Sequence, residues 1–332
     1  MEIKINKAIL HILDNNSAYP VFSQSELELN EATEDFMAKH IQKIICDDYM
    51  KEAQFNENSP FLPLLDNLKA DKDFQKASTE IAKRLHDIMR SNINIPNADL
   101  LAALVQIENE EHLALIKFNY KEGFTHYVNY NEQGTDNQII VHKVLFASEN
   151  QKNDEGAVIN LKDLTLRLVE KSYEINGEKT YYFSKMFLGC SANPSQKESL
   201  KIVNKAASEL GRKYFDDSFH TASELKSALY DSIESCREID IESVADRVFD
   251  HQPEIKEEYL AEIKKAGLPP KIQISSQKPE KQFARQKIKT DNGIELSIPM
   301  ELYRDKSAIE FITNTDGTTS LVIKNVSRFI SK

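Results

Sequence analysis

The sequence predicts an α+β fold, with a mixed or antiparallel sheet and helices in the N-terminal domain, a helical middle region and a small β-rich C-terminal module. Three observations support this prediction. Apolar runs with strand periodicity alternate with helical segments in the first half, only helical periodicity follows, and the end of the chain holds two short strand pairs with Asn-Gly and Asp-Gly turns. A chain of 332 residues with 40% hydrophobic residues is long enough for two or three domains.

The first elements are a strand pair, through residues 3–13 and 18–25, and three helices. The first helix begins after Asn30, a typical N-cap residue, and acids follow in its first turn, where they interact favourably with the helix dipole. The next two helices, around residues 64–68 and 74–89, carry apolar residues three and four positions apart. We expect these stripes to pack against a sheet.

The central strands of that sheet are predicted at residues 100–107 and 113–120, because both are long apolar runs on either side of a turn at Asn109. Further strands are predicted, in chain order, at residues 124–130, 139–146, 158–161, 164–173 and 181–183. The last two are expected to pair through Asn176-Gly177, which supplies the positive φ angles of a tight hairpin turn.

After residue 188 the pattern changes to helices, which are predicted at residues 195–214, 221–236, 241–249 and 253–266. Two hairpins, at residues 288–298 and 309–323, follow near the end of the chain. The sequence therefore predicts four parts: an α+β domain at residues 1–188, a helical region at 189–267, a basic linker at 268–287 and a small β module at 288–332.

Composition limits where the protein works and what it binds. No stretch approaches the ~18 apolar residues of a membrane span, and three widely spaced cysteines do not form a disulfide framework, so we expect a cytoplasmic protein that binds no membrane. The net charge of −11 argues against a protein that coats DNA with its whole surface, since phosphate binding depends on Lys and Arg. Residues 264–289, however, carry eight basic residues and one acid, so any DNA contact is expected to be local.

Five segments, spread over nearly the whole chain, carry a family likeness. They are INKAILHIL, LLAALVQIENEEHLALIKF, YYFSKMFLGCSANPSQKESLKIVNKAA, GIELSIPMELY and IEFITNTDGTTSLVIKN. In these segments the chain resembles the bacterial nucleoid-associated protein family of the YejK/NdpA type. The resemblance implies a cytoplasmic protein of the nucleoid that takes part in bacterial chromosome organisation, has affinity for DNA and contacts a type II topoisomerase. It implies no enzymatic activity and brings no catalytic residues.

Two groups of basic residues are the candidate DNA-binding residues. In the helix predicted at residues 195–214, four of them lie roughly opposite an apolar stripe: Lys197, Lys201, Lys205 and Arg212. The second group belongs to a basic arm around the linker and consists of Lys264, Lys265, Lys271, Lys278, Lys281, Arg285, Lys287 and Lys289. Both are expected to hold duplex DNA by its phosphates, with little sequence preference. The alternatives are a solvated helix face and a plain interdomain linker.

The sequence also allows functions other than DNA binding. Acidic segments at residues 234–242 and 254–262 would instead bind a basic partner, which makes an adaptor that regulates a DNA-processing enzyme the main alternative. A metal-dependent nuclease is a minor alternative, because Glu254-Ile255-Lys256 and Glu262-Ile263-Lys264 have Glu-x-Lys spacing, although in a predicted helix. No cofactor and no metal ion are expected, since HExxH, CxxC, P-loop and GxGxxG motifs are missing. A homodimer that bridges or presents DNA is a hypothesis from the general frequency of twofold oligomers.

Overall fold

The computed structural model of the chain describes residues 1–15, 20–71, 73–131, 134–148, 150–215, 218–250, 252–274 and 283–328. Contacts within the chain divide it into two compact units, Met1–Ser195 and Gln196–Lys332. Both units combine helices with antiparallel strands, which confirms the α+β fold. The helical region, the linker and the β module belong mainly to the second unit, and their division into separate domains stays a prediction.

A seven-stranded antiparallel sheet forms the centre of the first unit. The strands of this unit are β1 (Ile3–Leu13), β2 (Lys51–Phe55), β3 (Ala98–Ile107), β4 (Glu110–Asn119), β5 (Lys121–Asn131), β6 (Gly134–Leu145), β7 (Glu155–Asn160), β8 (Leu166–Val169), β9 (Tyr173–Ile175), β10 (Glu178–Thr180) and β11 (Cys190–Ala192). The sheet has the order β1-β3-β4-β7-β8-β2-β11. The predicted hairpin of β3 and β4 is confirmed and lies inside the sheet, as its two apolar runs require.

Helices cover both faces of this sheet. They are α1 (Glu31–Cys46), α2 (Leu62–Asp71) and α3 (Phe74–Ser91), and all three are predicted from the sequence. Ile41 of α1 packs with Ile116 on one face, while Ile81 of α3 belongs to the hydrophobic cluster on the other. The predicted N-cap is confirmed, because the Asn30 side chain accepts a hydrogen bond from the Thr33 amide at 3.0 Å.

The structure differs from the sequence prediction at several short strands. Of the predicted strand at residues 18–25, the described residues from Pro20 onward form a single bridge, between Val21 and Ile12, and Pro20 has no amide hydrogen to extend it. Residues 181–183 are not a strand, since a single π-helical turn begins at Phe183. Strands β2 and β11 are not predicted, because each has at most two buried residues and too little periodicity to stand out.

One predicted hairpin of the first unit is present, and two segments predicted as separate strands pair with each other outside the main sheet. The Asn176-Gly177 turn is confirmed, although β9 and β10 on either side are only three residues long. Strands β5 and β6 lie where predicted but do not join the main sheet. They form a separate two-stranded hairpin, Lys121–Asn131 with Gly134–Leu145, which we call the long hairpin.

The Phe187-Leu188-Gly189 turn is held by the core of the first unit. Gly189 ends the π-helical turn with φ 63°, a conformation that residues other than glycine rarely adopt. Arg84 Nε donates to the Phe187 carbonyl at 2.8 Å, and Ser59 Oγ donates to the Leu188 carbonyl at 2.7 Å. The segment that carries much of the family likeness therefore serves the fold.

A buried ion pair lies close to the base of the long hairpin. Lys117 of β4 and Glu155 of β7 are fully buried, with Nζ 2.9 Å from Oε2, and the Tyr182 hydroxyl donates to the same oxygen at 2.9 Å. Burial lowers the pKa of Lys117 despite the neighbouring carboxylate. Asn119 accepts a hydrogen bond from Lys117 and donates to Asp154 at 3.1 Å, so the network joins the chain just before β5 to the chain after β6.

In its described residues, the second unit combines four helices of 8 to 19 residues with short strand pairs. Its elements are α4 (Gln196–Tyr214), α5 (Ser218–Cys236), β12 (Glu238–Asp240), α6 (Ile241–Val248), α7 (Pro253–Lys265), β13 (Lys271–Gln273), β14 (Arg285–Lys289), β15 (Glu295–Pro299), α8 (Met300–Arg304), β16 (Ile309–Thr313) and β17 (Thr319–Ile323). Helices α4 to α7 and both C-terminal hairpins are confirmed. The sequence does not indicate β12, β13 and α8, which are only three to five residues long.

Both described ends of the predicted linker contribute to the core of the second unit. Strand β13 pairs with β12, and Ile272 and Ile274 are buried in the same cluster as Leu200 of α4. Phe283, at the other end, belongs to that cluster too. Residues 275–282 lie outside the described part of the chain.

None of the described helices combines the length and the apolar composition that a membrane span needs.

Candidate nucleic-acid interface

Helix α4 presents the first candidate surface. Its buried residues form one stripe: Ser199, Leu200, Val203, Ala206, Ala207, Leu210 and Gly211. The four predicted basic residues are all exposed, and at about 100° per residue they fall within an arc of about 80° on the other side, over about 22 Å of helix. We call this set the helix face: Lys197, Lys201, Lys205 and Arg212.

The helix face keeps a net positive charge. Lys205 Nζ lies 3.6 Å from Glu209, but the two side chains are 70% and 53% exposed, so this pair is weak and screened by salt. Lys201 and Arg212 form no ion pair with any acid in the part of the chain that the structure describes. The neighbouring Lys213 differs, because it binds Glu258 of α7 at 2.6 Å, and this hydrogen bond raises the pKa of Lys213.

The basic residues of the predicted arm lie on three separate elements. Lys264 and Lys265 are exposed at the end of α7, where positive charge stabilises a helix terminus, and neither forms an ion pair with a described acid. Lys271 of β13 is paired, with its Nζ 2.7 Å from Glu238. Two of the predicted residues lie outside the described part of the chain: Lys278 and Lys281.

Strand β14 carries the remaining predicted residues on its exposed side: Arg285, Lys287 and Lys289. They alternate with Gln286, which is buried and donates to Ser223 of α5 at 2.9 Å, so successive cations are about 6.8 Å apart. Lys289 pairs with Glu295 across the hairpin at 3.0 Å, and both side chains are 71% exposed. Lys287 forms no ion pair with any acid among the described residues.

Lys226 joins this surface although the sequence does not indicate it. Its Nζ donates to the Arg285 carbonyl at 2.6 Å, beside Lys287. Burial, and then the charge of Lys287, lower the pKa of Lys226. It is a single lysine within α5, and only the packing of β14 against α5 brings the cations together, so no spacing in the sequence marks it. We call this set the strand face: Lys226, Arg285, Lys287 and Lys289.

Two other arginines of the second unit serve the fold. Arg247 and Arg304 both bind the Asp231 carboxylate, and each also donates to Ser227 Oγ at 2.8 Å. Burial of Asp231 alone would raise its pKa, but the hydrogen bonds from the two arginines outweigh it and lower that pKa. This network joins α5, α6 and α8.

The acidic segments that favour the adaptor alternative are partly neutralised in the second unit. Glu238 pairs with Lys271, and Glu258 pairs with Lys213. Of the net charge of −11, the first unit carries −10 and the second unit −1. The second unit therefore repels a polyanion far less than the first.

The two Glu-x-Lys motifs on which the nuclease alternative depends lie in a helix, as the sequence predicts. Both Glu-x-Lys motifs belong to α7, and Lys256 of the first motif pairs with Asp246. Among the described residues, no group of three or more His, Cys, Asp or Glu is placed to hold a metal ion. Cys190 is buried in β11, and burial raises the pKa of its thiol to about 12, so it is protonated near neutral pH.

A cleft of about 730 Å³ opens on the first unit, and its lining includes none of the predicted DNA-binding residues. Acidic and basic side chains both line it, among them Glu52, Glu110, His112 and Arg167. This mixture of charges does not favour a polyanion.

Comparison with known proteins gives one family. Residues 9–330 match the profile of a family described as nucleoid-associated protein YejK. The match runs from β1 through both units to the end of the described chain. A search of curated proteins gave no match.

Proposed function

The chain belongs to the family of the nucleoid-associated protein YejK, and from this premise we propose that it binds duplex DNA with little sequence preference through the helix face and the strand face. It acts by binding and not by catalysis, in the bacterial cytoplasm. The observation that carries the proposal is the helix face, where four exposed cations project from one side of a helix whose other side is buried.

The spacing of the helix face suits a phosphate backbone. Lys197, Lys201 and Lys205 follow one another at about 6 Å along α4, and duplex DNA presents one phosphate charge for about every 1.7 Å of its axis, so each lysine has a phosphate within reach. Lysine binds phosphate as a point charge, and the helix face contains none of the Asn, Gln, Asp or Glu side chains that read adenine or cytosine in the major groove. A face with three lysines and one arginine therefore favours binding without sequence preference.

The strand face supplies a second contact. Lys226 and Lys287 are close enough for one to lower the pKa of the other, and a phosphate placed between them would relieve their repulsion. DNA binding is therefore expected to raise the pKa of Lys226 toward its usual value. Lys289 contributes less, because Glu295 already pairs with it.

Binding of the full chain to two duplexes of unrelated sequence tests the proposal. The helix-face variant changes Lys197, Lys201 and Lys205 to Gln. The matched control removes three exposed charges from the first unit, by the changes Lys69→Gln, Lys179→Gln and Lys185→Gln. We expect the helix-face variant to lose at least about tenfold in affinity for both duplexes at low salt, and the control to stay within about threefold of the wild type. Equal losses in the two variants, or none, would overturn the proposal.

The charge of the first unit supports a second candidate function, an adaptor that regulates a DNA-processing enzyme such as a type II topoisomerase. A surface with a net charge of −10 complements the basic DNA-binding face of such an enzyme. An adaptor would bind the purified topoisomerase equally well in the wild type and the helix-face variant, and would show no DNA binding in either. Bridging of DNA, the finer form of the first proposal, needs two DNA-binding surfaces in one particle, which a homodimer would supply.

The minor alternative, a metal-dependent nuclease, is tested separately with Mg²⁺ or Mn²⁺ and a labelled duplex. We expect no cleavage, and no difference between the wild type and Glu262→Gln. Cleavage that disappears in Glu262→Gln would replace binding with catalysis as the function.

A further inference from the structure

The long hairpin leaves one apolar face uncovered. Phe124 lies directly opposite Val141, and even spacing along each strand places four large residues on the same face: Phe124, Tyr130, Ile139 and Val141. Three of them are about four-fifths exposed, with values of 78% for Phe124, 80% for Tyr130 and 80% for Ile139. Among the described residues, the strands of the long hairpin pair with each other and with no other strand.

The base of the long hairpin, by contrast, is firmly attached to the first unit. Phe146 packs against Phe118 and Phe36, with ring centroids 5.0 and 6.3 Å apart. Lys121 Nζ donates to Gln151 Oε1 at 3.1 Å, and the buried ion pair described above joins the chain on both sides of the hairpin. Because its base is fixed to the first unit while its strands stay exposed, the long hairpin is positioned to bind a partner.

A hairpin of this kind is unfavourable without a partner. A single two-stranded hairpin is marginally stable in water, its unpaired edges are templates for another strand, and apolar patches of several hundred Å² mark interaction sites. The exposed apolar area of this face can be compared with the area that a protein–protein interface buries. Its four large residues expose on the order of 500 Å² of apolar surface. A standard interface buries about 800 Å² per partner, of which slightly more than half is apolar, so one such face on each side is sufficient.

The formal charge of the long hairpin favours a second copy of the chain as the partner that covers its apolar face. Strands β5 and β6 contain two lysines, one glutamate and one aspartate, and are formally neutral within a unit of net charge −10. Neither a polyanion nor a basic enzyme finds complementary charge there, whereas two identical neutral faces do not repel each other. The strands reach about 36 Å, several times the Debye length of about 8 Å in physiological salt, so the hairpin is long enough to join two acidic units with little repulsion.

We infer that the long hairpin is a dimerisation element, in which the face of Phe124 and Ile139 packs against the same face of a second copy. Such an interface is isologous, with the same patch on both partners. Dimerisation through this face does not require DNA binding. If both hold, the dimer carries two helix faces.

Sedimentation equilibrium of the full chain tests this inference. The wild type is expected at twice the 38.0 kDa of one chain, and the double variant Phe124→Ser and Ile139→Ser is expected to dissociate at least about tenfold more readily. Tyr127→Ser is the matched control, since Tyr127 is 51% exposed on the opposite face of the hairpin. It should change the dissociation constant by less than about threefold. Because a double variant can lose its fold, Tyr130→Lys provides a second test, and circular dichroism with thermal unfolding verifies the fold of each.

A wild type that stays at 38.0 kDa up to about 100 μM would overturn the inference, since standard interfaces bind more tightly than this. Equal dissociation in the Tyr127→Ser control would do so as well. DNA binding per chain, measured on the monomeric variant, separates this failure from failure of the proposed function, because the helix face is unchanged in that variant.

Discussion

The surroundings of Gly189 leave no space for the Cβ atom that any other residue would carry. A Cβ there would lie 2.8 Å from Pro60 Cδ and 2.8 Å from Ser59 Oγ, in addition to the strain of φ 63°. We expect Gly189→Ala to lower the free energy of unfolding by about 2–4 kcal/mol in urea denaturation. Gly177→Ala is the control, since Gly177 has φ 82° and no residue beyond its two chain neighbours comes within 4 Å of the added carbon, and should cost only about 1–2 kcal/mol. Equal losses would contradict the close fit at Gly189.

His11 is a buried histidine that the fold keeps neutral. Its Nδ1 accepts a hydrogen bond from the Ser23 amide at 3.2 Å. Its Nε2 lies 3.2 Å from Ser78 Oγ, and because that hydroxyl donates to the Gln75 carbonyl, Nε2 carries the proton. Burial lowers the pKa of His11 to about 4. Protonation would remove the acceptor of the Ser23 amide.

Stability should therefore fall as the pH drops below the usual pKa of histidine, near 6.5. Between pH 6.5 and 4 the unfolded chain binds a proton at His11 that the folded chain does not, so the contribution of His11 to the free energy of unfolding decreases by about 2 kcal/mol from pH 7 to pH 5. Urea denaturation at both pH values measures this. His11→Gln is expected to be less stable at pH 7 but to lose less between pH 7 and 5, whereas His142→Gln, at an exposed position, should behave as the wild type. The same pH dependence in His11→Gln would contradict the role of burial.

The sequence predicts the helices and strands in which the spacing of apolar residues repeats several times. Helices α1 to α7 and the hairpin of β3 and β4 have enough buried positions in register to be recognised. Strands β2, β11, β12 and β13 depend on pairing partners far away in sequence, and three to five residues carry no periodic signal. The helix face can be predicted from the spacing of basic residues within α4. The place of Lys226 in the strand face cannot, because it depends on tertiary packing.

A charge on α4 itself can be changed to test the helix face. Glu209 lies 3.6 Å from Lys205, so Glu209→Gln should leave that lysine fully available to phosphate. We expect the affinity for duplex DNA to rise about twofold to fivefold at low salt, with a smaller gain at higher salt. Glu254→Gln removes the same charge from α7 and is the control. A gain of the same size in both variants would indicate a general charge effect instead of a local one.

The two units of the chain differ strongly in net charge. The second unit is nearly neutral and combines described cations from α4, α5, α7 and β14, while the first unit carries nearly all of the net negative charge. The sequence reveals the positive stretch at residues 264–289, but not that its described part divides among separate elements. Pairing of β13 with β12 and packing of β14 on α5 cause this division.

The salt dependence of DNA binding by the full chain measures how many phosphates the helix face neutralises. Each phosphate neutralised by Lys or Arg contributes about 0.9 to the slope of log K against log salt. We expect a steep slope for the wild type, and a slope that is smaller by about 2.7 when Lys197, Lys201 and Lys205 are changed to Gln. A slope near zero in the wild type, or the same slope in both proteins, would contradict binding through the helix face.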